Sequence, residues 1–186
     1  MKHRSPARLA ELKAKPFDPS TIAKAKFSPE SLAKVEPLCA IIEEAFSGVM
    51  LGDGVGLREG QARDDYWGDK AKCKSYRALD EKYDWSSIQA AELNRCNSSL
   101  SFFDAEGMRF HLPAFLICDL KGEYGFGMDF CLTHLSDYTK TQFALLSAKQ
   151  RQAVRAFLLH IEDDPEYESG RPHIVRALDE YWTEVG

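Results

Sequence analysis

The stretch Ser99-Leu-Ser-Phe-Phe-Asp104-Ala-Glu-Gly107-Met-Arg-Phe110-His-Leu112 decides how the fold is read. Leu100 and Phe102 alternate with serines before Asp104. Met108, Phe110 and Leu112 alternate with Arg109 and His111 after Gly107. A period of two is the spacing of a strand with one buried face. Asp104 suits the first position of a type I turn, Ala105 and Glu106 its centre, and Gly107 the left-handed residue that follows. The spacing predicts a hairpin over 99–112, with Phe102 opposite Phe110, Leu100 opposite Leu112, and His111 on the other face. Two strands alone are marginal. Phe126, Met128, Phe130 and Leu132 supply a third at about 125–133. The expected class is α+β: mostly helical, with a small antiparallel sheet packed against helices.

The helices around this sheet follow from caps and periodicity. Ser28-Pro29 reads as an N-cap with proline at the first helical position, and Gly48 as a left-handed stop after Leu38, Ile41, Ile42, Ala45 and Phe46. Polar helices are expected over 57–67, 70–83 and 87–95. Pro113 to Leu120 reads as a helix ended by Gly122. Ser147 and Gln150 form a capping-box pattern ahead of Val154, Phe157, Leu158 and Ile161. Ile174, Val175, Leu178, Tyr181 and Trp182 mark a last amphipathic helix. The glycine-rich Leu51-Gly-Asp-Gly-Val-Gly56 lacks the Lys-Ser/Thr ending of a phosphate-binding loop and reads as a connector needing positive φ.

Composition sets the outer bounds. The 186 residues, 44% hydrophobic and 28% charged, suit a single domain with appended segments. Residues 1–27, rich in Lys, Ala and Pro, read as a basic N-terminal arm, leaving 28–186 as the domain. A net charge of −5 argues against a nucleic-acid partner. The charge is unevenly spread: residues 1–36 carry a net +4 and residues 161–186 a net −6. No run reaches the roughly 18 apolar residues of a membrane span, and no secretory signal follows the basic start. The five cysteines are scattered, with no C-x-x-C pair, so no zinc or dithiol site is expected. The expected compartment is the cytoplasm, with no cofactor and no metal.

Three strings carry a resemblance. Gly54-Val-Gly-Leu-Arg-Glu-Gly-Gln-Ala-Arg-Asp-Asp-Tyr66, Ser98 through Phe115, and Leu146-Ser-Ala-Lys-Gln-Arg-Gln-Ala-Val-Arg-Ala-Phe-Leu158 resemble a family of small bacterial proteins catalogued only as a domain of unknown function. The resemblance covers roughly residues 38–183. It implies a bacterial, cytoplasmic, single-domain protein and brings no catalytic or binding residues with it.

Two groups of residues are candidates for function. Glu59, Asp64 and Asp65 with His111 would make a carboxylate–imidazole site for a small hydrolase if the fold assembled them. Against this, Glu59 and Arg63 have the spacing of an i,i+4 ion pair. Ser98, Ser99 and Ser101 lack a G-x-S-x-G elbow, and no cysteine has an evident histidine partner. The second group is acidic and aromatic: Asp163, Asp164, Glu166 and Glu168, with Trp182 as a rigid anchor. Their order lacks the glycine and terminal glutamate of an EF-hand loop. Acidic charge of this density would steer a basic protein partner. The expectation is a non-catalytic interaction module of the regulator, inhibitor or immunity kind, with the hydrolase as the alternative.

Overall fold

The computed structural model describes residues 29–184, and all the regular structure there is helical. The chain runs α1 (Pro29–Ala45), α2 (Leu57–Asp65), α3 (Lys70–Arg77), α4 (Ala90–Arg95), α5 (Ala105–Leu120), α6 (Asp129–Thr133), α7 (Asp137–Gln142), α8 (Ala148–Glu162) and α9 (Arg171–Glu180). Short 3-10 turns cover Trp85–Ser87, Asn97–Ser101 and Pro165–Tyr167. The arm predicted at 1–27 lies outside the described residues.

The α+β expectation is wrong: no strand forms among the described residues. Asp104 is extended (φ −80°, ψ −177°), and its carboxylate accepts the Gly107 N–H at 2.8 Å. That is an N-cap, and Glu106 follows in the first turn, where the helix dipole favours acid. Gly107 lies inside α5 and is not among the positive-φ glycines. The alternation of Met108, Phe110 and Leu112 misled because α5 is buried nearly all round: eleven of its sixteen residues are inside, Arg109's two neighbours among them. A helix apolar on every side has no amphipathic period to display.

The third strand fails for a related reason. In Phe126-x-Met128-x-Phe130-x-Leu132 each residue is four from another, so the string satisfies helical spacing as well as strand spacing. In a strand all four would share one face. Here Gly127 turns at φ +75° and the Met128 N–H donates to Asp119 Oδ2 at 2.8 Å. The single turn α6 then splits the string. Met128 and Leu132 are fully buried, while Phe126 and Phe130 stay 62% and 66% exposed.

Three of the expected cap signals form, while the Ser28 N-cap lies outside the described residues. The Ser147–Gln150 capping box is complete, and Gly48 (φ +72°) and Gly122 (φ +69°) close their helices. Around α5 pack α1, α4, α7 and the Trp85 turn; α8 packs on α1 and α9, and α9 on α6. Trp85 and Trp182 are buried with their indole N–H groups donated to the carbonyls of Phe46 (3.0 Å) and Leu132 (2.8 Å). Arg155 and Arg151 of α8 donate to the carbonyls of Leu178, Tyr181 and Trp182, satisfying the open end of α9.

The glycine-rich loop is held against the start of α5. Asp104 Oδ1 also accepts the Val55 N–H at 3.0 Å. A Cβ built on Gly107 would lie 2.4 Å from the Val55 carbonyl oxygen. Glycine is required there for close approach, not for positive φ. Within the loop only Gly52 (φ +60°) needs the left-handed region.

Gly107→Ala therefore tests this contact. On an unobstructed helix the change would stabilise by about 1 kcal/mol. Against Val55 it should instead destabilise by about 1–3 kcal/mol. Asp104→Ala should cost about 2 kcal/mol, combining a lost cap with an unpartnered Val55 N–H. Denaturant unfolding of both variants checks this, and a stabilised Gly107→Ala would sink the proposed packing.

Candidate functional site

The predicted carboxylate–imidazole group does not assemble. His111 is completely buried: its ring stacks on Phe103 at 4.5 Å and meets Phe110 edge-on at 4.9 Å. Its Nδ1 lies 2.7 Å from the Gly107 carbonyl oxygen, so Nδ1 carries the proton and donates it. Nε2 is left buried and without a partner. Burial pushes the His111 pKa down to about 4, against a smaller upward pull from the Gly107 bond. Glu59 is buried too, and its two oxygens take Arg63 at 2.7 Å and Arg77 at 2.8 Å. Asp64 is exposed, and so is Asp65, which accepts from Gln61. None of these contacts links a carboxylate of the group to His111. Ser99 is buried, its hydroxyl donated to the Leu57 carbonyl at 2.6 Å, and is no nucleophile.

What these residues build is a support for the glycine-rich loop. Arg77, besides pairing with Glu59, donates to the carbonyls of Gly54 and Asp53, both at 2.8 Å. Gly56 precedes α2 without a capping side chain, and Asp80 caps that helix from a distance, accepting the N–H groups of Arg58 and Glu59. A Cβ on Gly56 would fall 1.9 Å from the Asp80 carboxylate. Burial pushes the Asp80 pKa up to about 6, opposed by those two backbone donors.

The acidic turn predicted at the C-terminal end lies between α8 and α9. Asp163 and Glu168 are exposed and Asp164 is half-buried; Glu166 belongs to the Pro165–Tyr167 turn. Trp182 is 1% exposed, a core residue and not a surface anchor. The turn is anchored by Tyr167, whose hydroxyl donates to both oxygens of Asp119 at 3.2 Å. Burial raises the Tyr167 pKa, and the neighbouring Asp119, Asp129 and Asp164 carboxylates raise it further. Asp129 lies against both Gly127 and Gly170, which joins this acidic cluster to the start of α6.

Beside it, the exposed half of the misread string lines a groove of about 330 Å³. Phe126, Phe130, His134 and Tyr138 are exposed, and Tyr124 and Cys131 back them. Phe130 stacks on His134 at 3.9 Å, and Tyr124 meets Phe126 at 5.6 Å. Burial pushes the Cys131 thiol up to about 12, so it stays protonated at neutral pH. Aromatic faces carry partial negative charge, and the Asp129 carboxylate lies beside them at Gly127, a combination that attracts cations. These groove residues were missed because a strand would have buried them. The i,i+4 spacing of Phe126, Phe130 and His134 was the signal available.

Among the described residues, no group of three or more His, Cys, Asp or Glu side chains is placed to hold a metal ion. No helix there is long and apolar enough to cross a membrane.

Two buried titratable groups, His111 and Asp80, oppose each other in their pH dependence. The folded pKa of His111, about 4, lies below its unfolded value near 6.5, so on acidification the unfolded chain takes the proton first. Its contribution is intact above about pH 6.5 and is lost toward pH 4, by up to roughly 3 kcal/mol. Asp80 is raised from 3.8 to about 6, so its contribution is present below about pH 3.8 and lost as pH rises through 6. Between pH 4 and 6 the two nearly cancel. His111→Phe should keep the ring packing and make the protein gain stability as pH falls from 6 to 4. Equal slopes in the variant and the parent, measured by denaturant titration, would refute this.

A comparison with curated proteins and one with solved structures each return no match. A family model matches residues 34–185, most of the chain and close to the span of the resemblance. The chain belongs to this family, described as a family of unknown function, DUF6714.

Proposed function

We propose that the chain is a non-catalytic protein-interaction module, of the regulator, inhibitor or immunity kind, whose acidic and aromatic face takes a basic segment of a partner protein. The observation that carries this reading is the pair Phe126 and Phe130, the first in the bend before α6 and the second on it, held more than 60% exposed while Met128 and Leu132 of the same string are buried. Apolar rings on a surface forgo roughly 25 cal/mol for each Å² left in water. A contiguous exposed patch of that kind marks an interaction site more often than chance. Asp129 adjoins it at Gly127, where Tyr167 of the acidic turn also lies, and opposite charge on a partner would raise the rate of encounter. Trp182, buried, has no part in this face; Asp164 and Glu166 belong to its acidic turn. The hydrolase alternative is disfavoured by the burial of His111 and Glu59 and by the two arginines that take the Glu59 charge.

Titrating the full chain with a labelled twelve-residue peptide alternating Arg and Leu tests the reading. Saturable binding that weakens with salt is expected. Phe130→Ala should lower the affinity about tenfold or more. Asp163→Lys combined with Glu168→Lys should do the same while leaving the circular dichroism unchanged. Binding unaffected by both variants would place the interface elsewhere.

A further inference from the structure

Helix α3 reads Lys70-Ala-Lys-Cys-Lys-Ser-Tyr-Arg77 and contains no buried residue. Eight residues are too few to hold a helix in water, so tertiary contacts must supply its stability. Those contacts are the Arg77 pair with Glu59, the Arg77 bonds to the glycine-rich loop, and the stacking of Tyr76 on Tyr66 at 5.9 Å. The rest of the helix is a basic edge. Lys72 turns to the Tyr66 ring, 4.1 Å from its centroid. Lys70 and Lys74, four apart on one face, repel each other, and among the described residues neither has an ion-pair partner.

Lys70 and Lys74 line a groove of about 690 Å³ together with Arg63, Arg77, Phe102 and Trp67. Trp67 is 85% exposed, whereas Trp85 and Trp182 are core residues. This groove shares no lining residue with the aromatic one. The Asn97–Ser101 turn and Phe102 separate them: Leu100 and Ser101 line the aromatic groove, Phe102 the basic one. The only carboxylate lining the basic groove, Glu59, is buried and takes both arginines.

We propose that this groove is a second docking site, for an acidic segment of a partner protein that seats an apolar or aromatic side chain against Trp67 and Phe102 and sets carboxylates on Lys70 and Lys74. Charge complementarity selects this occupant. External carboxylates would relieve the repulsion between Lys70 and Lys74, and desolvating Trp67 would add apolar burial. A single-stranded nucleic acid fits less well. It is recognised by several aromatic platforms along a cationic track. Here there is one exposed tryptophan, and Glu59 already engages the two arginines that would grip a phosphate.

The test uses the full chain, a fluorescein-labelled peptide of three Glu-Phe-Glu-Glu repeats, and a labelled twelve-residue oligothymidylate. The peptide should bind saturably at low salt and shift the emission of Trp67. Lys70→Gln with Lys74→Gln should weaken it tenfold or more, as should Trp67→Ala. These side chains are exposed, so the melting temperature should hold. Phe130→Ala, on the other groove, should leave the affinity unchanged. No saturable binding overturns the proposal. So does peptide binding that survives the double glutamine variant. Oligothymidylate binding tighter than the peptide, and lost in that variant, would also overturn it by making the groove a nucleic-acid site.

Discussion

The Asp104 carboxylate joins the two halves of the structure through one oxygen. Oδ1 accepts the Gly107 N–H, which starts the buried helix α5, and the Val55 N–H, which fixes the glycine-rich loop on top of that start. Both donors would otherwise be unpaired, so the carboxylate satisfies a helix end and a loop together. Gly107 makes the arrangement possible by leaving room for the Val55 carbonyl. From this contact the loop leads directly into α2, and the neighbouring polar groups reinforce it. Asp80 caps α2, Ser99 takes the Leu57 carbonyl, and Arg77 ties Glu59 to the loop carbonyls.

This network accounts for much of the chemistry that the residue types suggested. A glutamate, a histidine, an arginine pair and a serine within a few tens of residues look like parts of an active site. Each is consumed by support of the backbone: His111 by the Gly107 carbonyl, Glu59 by two guanidinium groups, Ser99 by a carbonyl. Buried polar groups that find partners in this way stabilise one arrangement of the loop over others. Two surface grooves lie to either side of the 97–102 segment. One groove is aromatic, with Asp129 beside it at Gly127; the other is basic and carries an exposed tryptophan.

Local signals were legible where the physics is local. The Ser147–Gln150 capping box, the Gly48 and Gly122 stops, and the periodicity of α1, α8 and α9 depend on neighbours within one or two turns. The hairpin and the third strand were misread because their apolar spacing fits two structures. Asp-Ala-Glu-Gly suits a type I turn, but it is also an N-cap followed by an acid in the first turn. The length of the apolar segment from Met108 to Cys118 was the better guide, since strands seldom run that far.

The sequence by itself determined the family, the Ser147–Gln150 capping box, the glycine stops after α1 and α5, and the acidic character of the 162–168 turn. These rest on composition and on interactions between near neighbours in the chain. Only the tertiary structure decided that α5 lies at the centre, that His111 is sealed inside, and that Trp182 belongs to the core. It also decided that Phe126 and Phe130 face outward while Met128 and Leu132 face inward. Spacing states which residues can share a face, but burial depends on what packs against that face, and the partners here lie tens of residues away.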